Sequence, residues 1–243
     1  MSSSSPESAT CALPGLTPDG YAQWRSSELG AITEALERAL VLEHLGEVAG
    51  KDVLEIGSGD GELAVRLAEM GAHVSAIDCS QAMIAAGRAR AAERGVRVDF
   101  AIGRAEDLPV EDRSFDIVVA VTILCFVRDA GPVFHHIARA LRPGGRLVIG
   151  ELGKWSAWAA ARRLRGWLGS PLWKHGHFRT PSDLRQLAQS AGLEPIAVRG
   201  TIYYPRWTWA ARVLAPFDRR LGRLTNVGAA FLVLEARKPR DQR

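Results

Sequence analysis

The stretch at residues 53–61 constrains the fold of this chain more than any other. It reads VLEIGSGDG, a short apolar run followed by three glycines at alternate positions. The apolar run suits a strand buried on both faces, and the glycines permit a turn whose backbone contacts a ligand directly because no Cβ intervenes. Apolar residues then recur at helical intervals from Leu63 to Ala68, so the free N–H groups at the start of a helix would face the turn. We therefore predict a strand, a tight turn and a helix, with a ligand site at the turn.

Details of this turn distinguish between classes of ligand. Dinucleotide sites use the spacing G-x-G-x-x-G or G-x-G-x-x-A, and at that last position this chain has the charged Glu62, where a small residue is needed. The spacing here is G-x-G-x-G instead. Glu55, two residues before Gly57, places a carboxylate at the carboxyl end of the strand, where it suits an ammonium group better than a pyrophosphate.

At these residues the chain resembles the class I S-adenosylmethionine-dependent methyltransferases, whose first motif is an acidic residue followed by G-x-G-x-G. Two further motifs carry the resemblance, A-E-D-L-P at residues 105–109 and L-x-P-G-G-x-L at residues 141–147. The resemblance is close over residues 20–150 and looser elsewhere. It implies an α/β fold with a Rossmann-like, seven-stranded, mostly parallel sheet, an antiparallel last strand, helices on both faces and a helical lid insertion.

Asp78 is the second acidic residue that points to a nucleoside site. It ends a predicted strand over residues 72–78 and lies 17 residues after Gly61, the distance expected for the next strand of a βαβ unit. A carboxylate at that strand end accepts hydrogen bonds from both hydroxyls of a ribose. The alternative role is a helix cap, because Asp78 and Ser80 both precede the predicted helix that holds Met83.

The resemblance implies S-adenosyl-L-methionine as the cofactor and S-adenosyl-L-homocysteine as its product. In the family, residues that correspond to Ala105 and Glu106 contact the edge of the adenine ring. This chain has Arg104 at the position before them, where the family often has Asp. We expect the following residues to contact the cofactor: Tyr21, Trp24, Glu55, Gly57, Ser58, Gly59, Gly61, Asp78, Cys79, Met83, Ala105, Glu106, Val121 and Thr122.

The order of segments predicts one domain. Residues 1–18 are rich in serine and proline and are expected to form a disordered leader, and residues 19–243 a single methyltransferase domain. Within it we predict an N-terminal cap helix or broken pair of helices at 21–50, a fourth strand at 115–121 that continues to residue 127, and a lid at 151–180 with a helix of three turns. A segment from Trp207 to Phe217 has an amphipathic pattern.

Charge is distributed unevenly along the chain. Residues 151–243 contain 17 Lys and Arg against 6 Asp and Glu, whereas residues 1–150 contain 14 against 21. The lid mixes tryptophans with arginines, a composition that suits an acidic aromatic ligand, a peripheral membrane contact or nucleic acid, or simply a lid that packs on its own aromatics. A nucleic-acid substrate is disfavoured because the basic surplus is modest and the N-P-P-aromatic motif of many DNA amino-group methylases is absent.

We expect the protein to be a monomer or a homodimer.

Chemistry at the acceptor requires alignment and, for a hydroxyl or an acidic carbon, removal of a proton. His175, His177 and Tyr203 are the candidate catalytic bases, with Glu37 as a further candidate, and no spacing selects among them. Cys125 lies in an apolar run and is expected to be a packing residue. The cysteines at 11, 79 and 125 are far apart without C-x-x-C spacing, which predicts no metal site and favours a reducing cytoplasm.

These observations predict a biosynthetic transferase that moves a methyl group from S-adenosylmethionine to O, N or C of a small molecule. The lid composition favours an apolar or aromatic acceptor with an acidic group. Two alternatives stay open: an NAD(P)-linked oxidoreductase, which Glu62 and the glycine spacing disfavour, and a non-catalytic protein that binds the cofactor without turnover.

Overall fold

The computed structural model describes residues 17–174 and 176–241, which form one seven-stranded sheet with helices on both faces. The strands are β1 Asp52–Ile56, β2 His73–Asp78, β3 Val98–Ile102, β4 Phe115–Val121, β5 Leu141–Leu152, β6 Glu194–Thr201 and β7 Phe231–Arg237. The helices are α1 Pro18–Ser26, α2 Glu28–Leu45, α3 Glu62–Glu69, α4 Gln81–Arg94, α5 Ala130–Ala140, α6 Ala157–Trp167, α7 Pro181–Ser190 and α8 Thr208–Leu224, with a single 3-10 turn at Leu124–Phe126.

The strand order is β3-β2-β1-β4-β5-β7-β6. Strands β1 to β5 pair in parallel, and β7 is antiparallel to both of its neighbours, β5 and β6. The predicted fold class, mostly parallel with an antiparallel last strand, is confirmed. The order reverses between β1 and β4, and in such sheets ligands bind beyond the carboxyl ends of the strands at that point.

Two apolar cores flank the sheet. On one face α5 and α7 bring Phe134, Ile137 and Leu184 against the strands. On the other face α2, α3, α4 and α8 bring Leu45, Leu67 and other apolar side chains. Because both faces are covered, the central strands carry almost wholly apolar sequences, as the run in β4 indicates.

Several predicted boundaries differ from the structure. Residues 1–16 of the predicted leader lie outside the described residues, but Thr17 caps α1 and Pro18 is its first residue, so the leader prediction was wrong at its end. The cap region is a broken pair of helices that ends at Leu45, five residues before Gly50. The expected continuation of β4 to residue 127 was wrong, because the strand ends at Val121 and Thr122 turns the chain into the 3-10 turn.

The lid contains one helix of three turns, α6, as predicted. Among residues 17–174 and 176–241, no helix is long and apolar enough to cross a membrane.

Candidate functional site

The glycine turn after β1 is shaped by backbone angles that other residues rarely adopt. Gly57 has φ +72°, and a Cβ at this position would lie 2.4 Å from Cδ1 of Ile123. Gly61 has φ +75°, and a Cβ there would lie 2.8 Å from Cα of Gly87 in α4. A side chain at either position would therefore clash, which explains why the loop needs glycine for close packing as well as for its turn.

Asp78 at the end of β2 reaches across to this turn. One carboxylate oxygen accepts a hydrogen bond from the N–H of Gly59 at 2.8 Å, and the other accepts from the N–H of Ser80 at 2.8 Å. The side chain of Ser80, rather than that of Asp78, caps α4 by accepting from the N–H of Met83. Asp78 lines the cleft, so its carboxylate is held with lone pairs free for hydroxyl donors.

Glu55 places a buried carboxyl group next to the glycine turn. Burial, together with repulsion from Asp78 and Asp60, raises the pKa of Glu55 to about 8. Its Oε2 has no hydrogen-bond partner among the described residues. A nearby cation would favour the ionised form of this buried carboxyl group. The site therefore fits the ammonium end of the cofactor predicted from the sequence.

Asp60 ties the N-terminal helix to the glycine turn. Its carboxylate forms ion pairs with Arg25 of α1 and, at 2.7 Å, with Arg90 of α4. Tyr21, one turn earlier in α1, lies under the Arg25 guanidinium, 5.8 Å from the ring centroid. These contacts hold α1 over the cleft, as the cap prediction requires.

The cofactor cleft consists of two adjoining cavities of about 180 and 160 Å³. Tyr21, Gly57, Gly59, Val121 and Thr122 line both of them. The remaining predicted residues divide between the two cavities: Asp78, Cys79, Met83, Ala105 and Glu106 in the first, and Trp24, Glu55 and Ser58 in the second. Gly61 is the predicted residue that lines neither, because it packs against α4.

Thr122 marks the point where the cleft turns towards the lid. Its φ is +51°, an uncommon value for a residue with a Cβ, and its N–H donates to the carbonyl oxygen of Gly150 at 2.7 Å. Backbone strain of this kind concentrates at functional sites. Thr122 and Tyr21 line the cofactor cavities and the next cavity as well, so they stand at the junction.

The next cavity, the acceptor pocket, has a volume of about 260 Å³ and is both basic and aromatic. Arg162, Arg165 and Arg206 line it, and in the described part of the chain none of them forms an ion pair with a carboxylate. Arg162 and Arg206 lie over the ring of Trp158, 5.3 and 5.0 Å from its centroid. Arg162 also lies 5.0 Å from the ring centroid of Trp173.

Electrostatic repulsion is strong in this pocket. Burial lowers the pKa of Arg206, and the neighbouring Arg165 and Arg162 lower it further, to about 10. Burial likewise lowers the pKa of Arg162, while Glu37 raises it. With a pKa of about 10, Arg206 stays charged near neutral pH, so an anion in the pocket would relieve its repulsion from the neighbouring arginines.

The structure separates the candidate bases. His175 lies outside the described residues. His177 is exposed and does not line the acceptor pocket. Tyr203 also lies elsewhere: its hydroxyl donates to the carbonyl oxygen of Thr225, and burial raises its pKa to about 12. Glu37 does line the acceptor pocket, and burial raises its pKa to about 7.

Cys125 lies in the floor of the acceptor pocket as a buried side chain. Burial and the nearby carboxylate of Glu151 raise the pKa of the thiol well above its usual value, so it is not an activated nucleophile. No group of three or more His, Cys, Asp or Glu side chains within 17–174 and 176–241 is placed to hold a metal ion.

Sequence reasoning missed several residues of the site. Arg206 follows Tyr204-Pro205 with no periodic signal, and Thr33 is an inconspicuous polar residue in α2, yet both line the acceptor pocket. Arg25 was missed as the partner of Asp60. The excess of positive charge after residue 150 was the available signal for the arginines, but it did not say which ones meet.

Comparison with known proteins identifies methyltransferases among the relatives of this chain. A family described as a methyltransferase domain matches residues 53–145. The ubiquinone biosynthesis O-methyltransferase of Idiomarina loihiensis is 32% identical over 168 residues, which are 67% of this chain and 69% of that protein.

Solved structures share the fold. A SAM-dependent methyltransferase from Thermotoga maritima, described as a possible histamine N-methyltransferase, matches with a TM-score of 0.66 and 24% identity over 90% of this chain and 95% of its own. Magnesium protoporphyrin IX methyltransferase from Synechocystis PCC 6803, solved with bound SAH, matches with a TM-score of 0.66 and 17% identity over 90% and 93%. These similarities give no support to the oxidoreductase alternative.

Proposed function

This chain belongs to the S-adenosylmethionine-dependent methyltransferases, and from that premise we propose that its acceptor is a small apolar or aromatic molecule with an anionic group. Transfer of a methyl group from S-adenosylmethionine is the reaction of the family, and the O-methyltransferase similarity is consistent with a small-molecule acceptor. The observation that carries the proposal is the acceptor pocket, where three arginines meet three tryptophans beside the cofactor cleft. The described residues give none of these arginines a carboxylate ion pair.

Both parts of the pocket are needed for the proposed acceptor. The faces of Trp158 and Trp173 offer apolar area to a ring or chain, and Phe126 extends that area, its ring centroid 6.0 Å from that of Trp173. Guanidinium groups bind carboxylates and phosphates through paired, charge-assisted hydrogen bonds. A neutral acceptor would leave the cations unpaired, whereas an anion would pair with them.

For the cofactor, the proposed contacts follow the geometry of the cleft. Asp78 would accept hydrogen bonds from the ribose hydroxyls, Ala105 and Glu106 would edge the adenine, and Glu55 would face the methionyl ammonium. When bound, S-adenosylmethionine supplies an electrophilic methyl group and a neutral thioether as the leaving group, so no acid is required for departure.

Glu37 is proposed as the general base, with an oxygen as the acceptor atom. It is the one carboxylate that lines the acceptor pocket in the described part of the chain, and a pKa of about 7 matches a base that works near neutral pH. Glu37 would accept the hydroxyl proton of the acceptor, and bound S-adenosylmethionine would supply the methyl group that replaces that proton. The Idiomarina relative is an O-methyltransferase, which supports this choice of atom.

We also propose a peripheral membrane contact through residues 151–180, where Trp155, Trp167 and Leu168 are exposed among basic residues. We still expect a cytoplasmic protein that is a monomer or homodimer and does not act on nucleic acid. We also still expect a single domain at 19–243.

A matched pair of acceptors tests the substrate class. We would incubate the protein and methyl-labelled cofactor with 3,4-dihydroxybenzoate or with its amide, which differ in charge but hardly in shape. We expect kcat/KM to be at least about tenfold higher for the acid, the value of one charge-assisted contact. Equal turnover of the two compounds, or preference for the amide, would contradict the proposal.

A further inference from the structure

Helix α8 presents an apolar stripe to solvent. Trp209, Val213, Phe217, Leu221 and Leu224 recur every three or four residues, so they share one side of the helix. Each of them is between 36% and 83% exposed. The stripe runs along most of a 17-residue helix, about 25 Å at 1.5 Å per residue. Single exposed apolar residues are common, but a continuous stripe indicates a binding surface.

The orientation of this helix is fixed from its other side. Asp218 is buried and accepts hydrogen bonds from the backbone N–H groups of Ile202 and Tyr203, each at 3.0 Å, and from the hydroxyl of Thr201. Gly222 lies so close to β6 that a Cβ would be 2.3 Å from the carbonyl oxygen of Gly200. The helix therefore cannot roll to bury its stripe without breaking these contacts, and the stripe stays exposed.

Positive charge borders the stripe. Arg212 and Arg219 form ion pairs with Glu28 and Glu43. Arg220 and Arg223 are exposed, and the described part of the chain offers neither of them a carboxylate within ion-pair distance. An apolar stripe bordered by exposed cations is typical of a helix that lies in the plane of an anionic lipid surface.

The stripe begins beside the acceptor pocket. Trp207 and Trp209 stack at the start of α8 with ring centroids 5.8 Å apart, and both are exposed. Arg206, the residue before them, lines the acceptor pocket. Tryptophan is enriched at the boundary between water and lipid, where one part of its ring is apolar and the N–H stays solvated.

We propose that α8 is a membrane-binding helix whose apolar stripe inserts among the headgroups of an anionic bilayer, with Arg220 and Arg223 on lipid phosphates. This extends the membrane contact proposed for residues 151–180 to a second element and does not depend on the identity of the acceptor. A second copy of the chain is a poorer occupant. In a two-fold contact each stripe would meet its own copy, and the unpaired arginines along it would face like charges.

Co-sedimentation with lipid vesicles tests the proposal. The full chain, saturated with S-adenosylhomocysteine, would be mixed with phosphatidylcholine vesicles that contain no anionic lipid or about 30 mol% phosphatidylglycerol. We expect binding to the anionic vesicles at about 0.1 M salt and weaker binding as salt screens the arginines. The double variant Trp209→Ser/Phe217→Ser should reduce the partition coefficient at least about tenfold, because both side chains lose apolar burial.

The controls separate the stripe from other sources of binding. Ile102→Ser removes an apolar side chain of similar exposure on β3, the opposite edge of the sheet, and should bind as the unmodified chain does. Arg220→Gln/Arg223→Gln should lose the preference for anionic vesicles by about thirtyfold, at about 1 kcal/mol for each of the two charges near the surface. Retained affinity for S-adenosylhomocysteine shows that each variant is folded and keeps failure of membrane binding apart from failure of the cofactor or acceptor proposals.

Three results would overturn the inference. The first is no binding of the unmodified chain to anionic vesicles. The second is binding of the stripe variant to anionic vesicles as tight as that of the unmodified chain. If Trp167→Ser/Leu168→Ser also abolished binding, the membrane contact would belong to the lid alone. The third is a dimer, detected by light scattering, that the stripe variant cannot form and that does not bind vesicles, which would make a second copy the occupant.

Discussion

The two halves of the cleft carry opposite charge. In the cofactor half, Glu55 and Asp78 face the cavity without a cationic partner among the described residues. In the acceptor half, Arg162, Arg165 and Arg206 face the cavity, and no carboxylate within 17–174 and 176–241 forms an ion pair with them. Tyr21 and Thr122 stand between them.

For the two proposed ligands, this difference in charge would direct each one to its own half of the cleft. A cofactor with a sulfonium and an ammonium group is attracted to the carboxylates and repelled by the arginines, whereas an anionic acceptor experiences the reverse. Under the proposal, each ligand would favour one end of the cleft, and the reacting atoms would meet at the junction. Variants that alter one half should leave binding in the other half unchanged.

The largest expected effect is at Glu37, because general-base catalysis contributes about a hundredfold or more to the rate. Glu37→Gln should lower kcat by at least about a hundredfold near pH 8. The base must be deprotonated, so kcat of the unmodified chain should rise with pH through the Glu37 pKa of about 7 and then level off. The variant should lose that inflection.

The matched control for Glu37 is Glu93→Gln, which removes an exposed carboxylate of α4 away from the cleft. It should keep the full pH profile. If kcat of Glu37→Gln follows the same pH profile as the unmodified chain, Glu37 is not the base.

The next effect is on the cofactor half alone. Asp78→Ala should weaken binding of S-adenosylhomocysteine about a hundredfold, since two hydrogen bonds that the ribose hydroxyls donate to a carboxylate contribute about 3 kcal/mol. Isothermal calorimetry measures this directly. Asp99→Ala removes an exposed carboxylate from the neighbouring strand β3 and should leave the affinity unchanged. An unaltered dissociation constant for Asp78→Ala would count against ribose binding.

A smaller effect should be confined to the acceptor half. With S-adenosylhomocysteine bound, Arg206→Gln should weaken binding of benzoate about tenfold, the value of one charge-assisted hydrogen bond, and leave binding of benzamide unchanged. The fluorescence of Trp158 and Trp173 would report the titration, because both line the pocket.

Arg185→Gln removes an exposed guanidinium of α7 that does not line the acceptor pocket, and it should behave as the unmodified chain. Weaker binding of S-adenosylhomocysteine by Arg206→Gln would show that the two halves are not independent.

The smallest effect concerns the joint between the lid and the segment before α8. The indole N–H of Trp158 donates to the carbonyl oxygen of Tyr204 at 2.7 Å, and both residues are buried. Trp158→Phe keeps an aromatic wall but leaves that carbonyl unpaired, which should cost about 1 kcal/mol and lower Tm by about 2–4 °C. Trp167→Phe, at an exposed position of the same helix, should leave Tm unchanged. Equal Tm values for the two variants would show that this hydrogen bond does not stabilise the protein.

The cofactor half could be predicted largely from the sequence because each of its parts is local. Glu55, Asp78, Ala105 and Val121 lie at or just after the carboxyl end of a strand, and a parallel sheet brings all those ends to one edge. The glycine spacing and the order of acidic residues therefore determined both the fold class and the floor of this half.

The acceptor half was decided by tertiary structure. Thr33 and Glu37 come from α2, Arg162 from α6 and Arg206 from the segment after β6, and no local pattern states that these elements meet. The same holds for α8. Its sequence predicted an amphipathic segment, but the large apolar side is the exposed one, because Asp218 must reach the N–H groups of Ile202 and Tyr203 and Gly222 must approach β6. Periodicity shows that a helix has two faces, and only the packed chain determines which of them is buried.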